Sequence, residues 1–262
     1  LYVGNRLVAQ LPPAFAPPLR VEQDAASVPV GETPQAFFQR TEDFAFSDDF
    51  LVPEGEENLL AAWQKVSGEW DLHTAIDDAV ERKLIAPGGR QLEPQRSPNF
   101  YSLRGKGQPG MLTTGYPFYD RYQLAAAVQA QAGEMGLVFY VQEDGACHGF
   151  TLGMGPGDDT AVLRLWQQDA GGPVGRRQLG AVETPLAAGQ WVRLSVVAGD
   201  GRIQAFIDRT RVLDAAADLP PGGLFGLYVD SETGVRFDDV RAATVHDLNL
   251  ATPEAIRFHT VA

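Results

Sequence analysis

The sequence predicts an all-β fold, a single antiparallel β-sandwich of the jelly-roll kind. Short segments alternate apolar with polar residues, and Gly, Asp and Pro turns separate them, as the strands of a sandwich require. The chain of 262 residues has 44% hydrophobic and 10% aromatic residues, which is enough to bury one large core. Helical periodicity is confined to residues 77–86, where a strand and a turn fit equally well.

The clearest strands follow residue 111. The predicted segments are 122–131, 135–143, 147–154 and 161–167, which we expect to form a meander, and then 190–198, 202–208, 224–229 and 234–244. A turn at Gly199-Asp200-Gly201 joins two of these segments into a hairpin, since its residues tolerate positive φ.

Alternation along these strands assigns the side chains to two faces. The predicted core consists of Trp70, Leu124, Val128, Leu137, Phe139, Leu163, Leu165, Val192, Leu194, Val196, Phe225 and Phe237. The polar and aromatic residues predicted to share the outer face are Tyr140, Gln142, Arg164, Trp166 and Arg193. Aromatic rings beside amides and guanidinium groups are suited to binding a sugar ring, and they are equally suited to a protein contact. These outward residues are the candidate ligand-binding set.

The N-terminal segment differs from the rest in its prolines, at positions 12, 13, 17, 18, 29 and 34. Residues 1–9 predict a hairpin about Gly4-Asn5, and an extended arm or linker follows, because proline excludes helix. We divide the chain into an arm (1–43), a sandwich (44–246) and a tail (247–262). We expect the arm to dock either on this sandwich or on a neighbouring copy. Docking on a neighbouring copy would make a homo-oligomer. The alternative is a frayed end of a longer chain.

Composition bears on partners and location. A net charge of −13 repels phosphate backbones and anionic lipids, so nucleic acid is not an expected partner. Cys147 is the single cysteine, which excludes an intrachain disulfide and a cysteine zinc cluster. No segment has the apolar length of a membrane span. Since the chain starts at Leu1 rather than Met, we expect a processed or excised chain, secreted or displayed at the cell surface.

Several short motifs carry a family resemblance through their order. They are Phe46-Ser47-Asp48-Asp49-Phe50, Trp63, Ser67-Gly68-Glu69-Trp70, Gly136-Leu137-Val138-Phe139, Gln190-Trp191 and Phe237-Asp238-Asp239-Val240. Together they resemble the concanavalin A-like lectin/glucanase sandwiches, in particular the laminin-G-like and keto-glycoside-hydrolase-related modules, over about residues 44–245.

The resemblance implies that the first and last strands are neighbours. Asp48, Asp49, Asp238 and Asp239 would then approach one another. Calcium accepts carboxylate and backbone carbonyl oxygens, so these four aspartates are a candidate site for a structural calcium ion. The alternative is that these aspartates solvate turns and strand ends.

The resemblance also raises an enzyme alternative. Retaining glucanases of this fold carry Glu-x-Asp-x-x-Glu on one strand, whereas here Glu69 and Asp71 are followed by Thr74. No His-Glu-x-x-His or Gly-x-Ser-x-Gly motif occurs, so no catalytic set is assigned. We expect a non-catalytic extracytoplasmic binding module for carbohydrate. The alternatives are a structural or assembly module of a larger surface protein or filament, bound to a neighbouring protein module, and a glycoside-cleaving enzyme of the same fold.

Overall fold

A computed structural model describes residues 44–51, 60–74, 101–171 and 175–245, together with strand pieces at 2–3, 6–7, 19–20 and 40–41. The predicted helical candidate at 77–86 lies outside the described residues. Every regular element of the described part is a β-strand, and the pairs are antiparallel. The described residues include no helix with the length and hydropathy that crossing a bilayer requires.

The strands are numbered in chain order. They are β1 (Tyr2–Val3), β2 (Arg6–Leu7), β3 (Leu19–Arg20), β4 (Arg40–Thr41), β5 (Ala45–Asp48), β6 (Gln64–Thr74), β7 (Tyr101–Thr114), β8 (Tyr122–Gln129), β9 (Gly133–Val141), β10 (Cys147–Met154), β11 (Thr160–Gln168), β12 (Arg177–Pro185), β13 (Trp191–Gly199), β14 (Arg202–Ile207), β15 (Thr210–Ala216) and β16 (Leu224–Thr244).

Three long strands, β6, β7 and β16, run through both layers of the sandwich. The first sheet has the order β12-β11-β10-β9-β16-β7-β6 and uses the first half of β16. The second has the order β15-β14-β13-β8-β16, with β5 beside the end of β16. Register shifts in β16 between Val229 and Val235 mark the bend from one sheet to the other. The fold is therefore the predicted antiparallel jelly-roll sandwich.

The core prediction is confirmed for every residue named. All of them belong to one buried cluster between the two sheets, to which Leu163 and Phe150 contribute from the first sheet and Leu194 and Ile203 from the second. The hairpin of β13 and β14 also forms as predicted, with Asp200 and Gly201 at positive φ in its turn.

The order of the strands differs from the predicted meander at one point. β9 to β12 do form a meander, but β8 and β9 are not neighbours, because β16 lies between them and pairs with both. The predicted strands 224–229 and 234–244 are one continuous β16. Alternation indicates that a segment is a strand, but it does not identify the strand's partner, so this insertion could not be seen in the sequence.

In the arm, β1 pairs with β2 in the register Tyr2 opposite Leu7, as the Gly4-Asn5 turn predicts, and β3 pairs with β4. Most of the arm and the tail beyond Val245 lie outside the described residues. Docking of the arm stays a prediction.

Candidate functional site

The outer surface of the first sheet carries a second, smaller apolar cluster. It consists of Val138, Val141, Cys147, Trp166 and Tyr228, with Met111 and Leu224 at its margin. On β11, Leu163 and Leu165 point into the main core, so alternation turns Trp166 outward. On β16, Leu227 and Val229 are in the core, and Tyr228 faces outward by the same rule.

Trp166 lies flat on the sheet because the neighbouring strand offers it a glycine. Gly149 is its cross-strand partner on β10, and a Cβ there would overlap the indole ring. The indole Nε1 donates a hydrogen bond to Thr151 Oγ1 at 3.1 Å. The ring edge meets Tyr228, with ring centroids 5.7 Å apart and planes at 71°. The indole is thus held with one face on the backbone and the other turned outward.

The guanidinium of Arg176 covers that outer face. Its Cζ lies 4.1 Å from the Trp166 ring centroid and 4.5 Å from that of Tyr228. The Arg176 Nε donates to Gln168 Oε1 at 3.4 Å, which fixes the plane of the group. The rings beneath are only 3% and 1% exposed, so the guanidinium is what this surface presents to solvent.

A carboxylate completes the arrangement. Thr151 Oγ1, which accepts from Trp166, donates to Glu134 Oε1 at 2.5 Å. The other carboxylate oxygen of Glu134 lies 3.9 Å from Arg176 Nη1. That separation leaves the ion pair without a direct hydrogen bond. We call the group Arg176, Trp166, Tyr228, Thr151 and Glu134 the arginine platform.

Burial sets the protonation states beneath the platform. It raises the pKa of Tyr228 to about 12, against an opposing effect of Arg176, so the phenol remains neutral. Burial likewise raises the pKa of the Cys147 thiol to about 12, which removes its nucleophilic character near neutral pH. The platform offers a fixed cationic donor beside a carboxylate acceptor over an apolar floor, and it has no activated nucleophile.

The predicted ligand-binding residues do not share one face. Arg164 and Trp166 do lie together on the outer surface of the first sheet, where Arg164 crosses Gly153. Arg193 lies on β13 of the second sheet, where it pairs with Asp239. Gln142 lies in the turn after β9, and its Nε2 donates to the carbonyl oxygens of Tyr140 and Gly222.

Tyr140 was predicted outward and is instead in the main core. Its φ of 51° interrupts the pleat, so Phe139 and Tyr140 both face inward and Val141 turns outward. The Tyr140 ring stacks on Tyr122 at 5.3 Å, and its hydroxyl donates to Asp120 at 2.6 Å. Strict alternation across this residue was therefore the wrong assumption.

Four residues of the arginine platform, Tyr228, Thr151, Glu134 and Arg176, were missed by the sequence prediction. Tyr228 was the outward residue of a recognised strand, and alternation would have found it. Glu134 is the second residue of β9 and Arg176 precedes β12, and nothing in their local sequence distinguishes them from other charged residues near strand ends. Their role depends on which strands are neighbours.

The aspartates of the proposed calcium site lie on or next to two neighbouring strands. β5 and β16 are paired, with Asp48 opposite Val240, as the resemblance implied. Each carboxylate, however, has protein donors: Asp48 accepts from Trp63 Nε1 at 2.7 Å and from Phe50 N at 2.8 Å, and Asp49 accepts from Leu51 N at 3.2 Å.

The other two aspartates of that set are similarly engaged. Asp238 accepts from the backbone N–H of Asp239 at 2.6 Å, and Asp239 pairs with Arg193 and Arg241. Within the described part of the chain, no group of three or more His, Cys, Asp or Glu residues is arranged to hold a metal ion. Calcium at this edge stays a prediction.

The glucanase-like segment lies on β6. Trp70 is buried, as predicted, Glu69 and Asp71 are exposed to solvent, and His73 is buried. Glu69 lines an open cleft of about 540 Å³ at the bend of β6, β7 and β16, with Lys106, Gln108 and Glu232. Gln108 Nε2 donates to Glu232 Oε1 at 3.0 Å. The cleft is open to water, and its lining includes the charged side chains of Glu69, Lys106 and Glu232.

Comparison with known proteins gives structural neighbours only. No protein-family model and no curated protein sequence matches the chain. A carbohydrate-binding module, CBM66 from Bacillus subtilis, is 15% identical with a TM-score of 0.49, over 70% of this chain and 96% of that one. The laminarinase catalytic domain from Thermotoga maritima is 10% identical with a TM-score of 0.43, over 77% of this chain and 98% of that one.

The galectin LEC-6 from Caenorhabditis elegans is 12% identical with a TM-score of 0.36, over 50% of this chain and 87% of that one. Lectin and glucanase structures are thus among those similar to this chain, as the motif order predicted. At these identities and scores, a function has to be inferred from the side chains of the protein's own surface.

Proposed function

We propose that this chain is a non-catalytic carbohydrate-binding module, secreted or displayed at the cell surface, and that it binds its ligand on the arginine platform. The observation that carries the proposal is the stack of Arg176 on Trp166 and Tyr228, at 4.1 and 4.5 Å, with Glu134 beside it.

The chemistry of the platform fits sugar hydroxyls. A guanidinium donates two parallel hydrogen bonds, which suits a pair of neighbouring hydroxyl oxygens. Glu134 supplies the acceptor that the hydroxyl hydrogens need. Because stacking and Gln168 hold Arg176 in place before binding, less side-chain entropy is lost when a ligand arrives. The adjacent carboxylate and the net charge of −13 favour a neutral sugar over an acidic one.

Binding of neutral polysaccharides, measured by affinity electrophoresis and titration calorimetry, tests the proposal. We expect Arg176→Ala to lower the affinity by a factor on the order of 10 to 100, since hydrogen bonds to a charged group contribute about 1.5 to 3 kcal/mol. Arg202→Ala is the matched control, because Arg202 is an arginine of the second sheet that pairs with Asp214. Undiminished binding by Arg176→Ala, or no binding by the parent across neutral glycans, would contradict the proposal.

A further inference from the structure

A row of charged side chains continues from the arginine platform across the outer surface of the first sheet. Arg164 on β11 lies two residues before Trp166, so alternation places both side chains on the same surface. A Cβ at Gly153 would overlap Nη1 of Arg164, so the guanidinium lies over β10 at that glycine. Arg164 thus leans across β10 onto Gly153, as Trp166 leans onto Gly149.

The row crosses two further strands. Glu134 on β9 lies opposite that glycine of β10, and Asp230 on β16 lies opposite Glu134. Val229, which precedes Asp230, is in the main core, so alternation turns Asp230 to the outer surface. Burial raises the pKa of Tyr228 to about 12, and the charges of both carboxylates act in the same direction, as expected of groups on one surface. Both carboxylates therefore lie in line with the Arg164 guanidinium.

The two ends of this row have no protein partner in the described part of the chain. The side chains of Arg164 and Asp230 are half-exposed, and neither makes an ion pair or a hydrogen bond with the described residues. Glu134, between them, differs, because Thr151 donates to one of its oxygens and Arg176 lies 3.9 Å from the other. A donor and an acceptor that the protein leaves unused are groups that a ligand can bind.

The row is longer than one sugar ring. Adjacent strands are about 4.8 Å apart, so the Arg164 guanidinium over β10 and Asp230 on β16 are roughly 10 Å apart. One sugar ring cannot make hydrogen bonds with both groups, whereas two or three linked rings can. The row and the platform together have two arginines, Arg164 and Arg176, and two carboxylates, Glu134 and Asp230. Their formal charges cancel, which favours neutral rings throughout.

On the basis of the proposed function, we propose that the ligand is a linear, neutral oligosaccharide of at least two rings rather than a single sugar. It lies across the strands of the first sheet, from β10 to β16. One ring binds Arg176 and Glu134. The following rings accept hydrogen bonds from Arg164 and donate hydroxyl hydrogens to Asp230. Arg164 and Asp230 are thus the residues that select for the length of the sugar chain.

Titration of the full chain with sugars of increasing length tests this inference. The probes are glucose, mannose, galactose and xylose, each with its linear β-1,4-linked dimer, trimer and tetramer. Calorimetry measures the longer sugars, and NMR titration measures the weakly bound monomers. We expect the trimer to bind about ten times as tightly as the monomer, or more tightly still. Arg164→Ala and Asp230→Ala should each lower the affinity for the trimer by a factor on the order of 10 and leave that for the monomer within about twofold, because the monomer binds only at the platform.

Arg177→Ala is the matched control, since Arg177 is on the neighbouring strand β12 and donates to Gln167 Oε1 at 2.7 Å. It should leave the affinity for every sugar unchanged. Because Arg164 and Asp230 are half-exposed and have no described partner, the Tm of each variant should match that of the parent.

Equal affinities for monomer and trimer would overturn the inference. A trimer affinity at the parent value in either Arg164→Ala or Asp230→Ala would overturn it too. Those results leave the proposed function intact as long as Arg176→Ala lowers the affinity for the monomer. Absence of binding by the parent to every sugar would overturn the inference and the proposed function together.

Discussion

Gly149 provides a sharp test of how the arginine platform is built. A Cβ at Gly149 would come within 2.6 Å of Trp166 Cη2 and would overlap further atoms of the same ring. Gly149 is not among the glycines with positive φ, so alanine itself suits the backbone and would gain about 0.5 to 1 kcal/mol over glycine in the strand. The steric effect must therefore exceed this gain for the variant to be less stable.

The indole cannot move aside cheaply. It is buried between Gly149 and Arg176, and lifting it stretches the 3.1 Å hydrogen bond to Thr151. Overpacking of this kind costs about 1 to 3 kcal/mol, and a lost hydrogen bond adds about 1 kcal/mol. After the backbone gain, we expect Gly149→Ala to lose about 2 kcal/mol, which corresponds to a fall in Tm of roughly 4 to 8 °C for a domain of this size.

Gly153→Ala is the matched control on the same strand and face. There a Cβ would meet only the guanidinium end of Arg164, whose Cζ is 3.6 Å away and which can swing into solvent. Thermal unfolding followed by near-ultraviolet circular dichroism, with tryptophan emission as a second signal, should show destabilisation in Gly149→Ala alone. A Gly149→Ala variant that melts at or above the temperature of Gly153→Ala would refute the flat packing of Trp166 on β10.

Four further predictions follow from the fold. Phe139→Ala and Leu194→Ala, each at a fully buried position, should cost about 2 to 5 kcal/mol in chemical denaturation, and parent-like stability would mean that the faces are inverted. Burial, aided by Arg177, lowers the pKa of His148 from 6.5 to about 4. The unfolded chain therefore binds a proton at His148 at a higher pH than the folded chain does, so the free energy of unfolding should be unaffected by His148 above pH 6.5 and should fall as the pH declines toward 4. His148→Phe should remove this decline, which melts at different pH values would measure. Glu69→Gln with Asp71→Asn should leave any β-glucan turnover intact, and turnover that disappears in Glu69→Gln would instead favour the enzyme. If the arm docks on a neighbouring copy, deleting residues 1–40 should lower the number of subunits in the particle, as measured by light scattering. An unchanged number of subunits, with rapid amide exchange throughout the arm of the intact chain, would exclude that docking.

The two surfaces of the sandwich have different chemistry. The first sheet presents Arg176 and Glu134, which are partly exposed, over buried rings. The second sheet carries Val197 and Phe206 on its outer surface, beside the ion pairs that Asp239 makes with Arg193 and Arg241.

The sequence by itself determined the class of fold, the core and part of the site. Alternation has a period of two residues, so Leu163, Leu165 and Leu194 could be assigned to the interior and Trp166 to the outside from local sequence. The family resemblance also implied that β5 and β16 lie side by side. The assignment of side chains to faces depends on neighbouring residues, which the sequence contains.

The tertiary structure alone decided the arrangement of the platform. The positive φ of Tyr140 reversed the faces at the end of β9, and the insertion of β16 between β8 and β9 brought Tyr228 beside Trp166. Arg176 and Glu134 meet those rings from different strand ends. Such contacts depend on strand partners and on one backbone angle, which are set by the packing of the whole sandwich and leave no periodic signal in the local sequence.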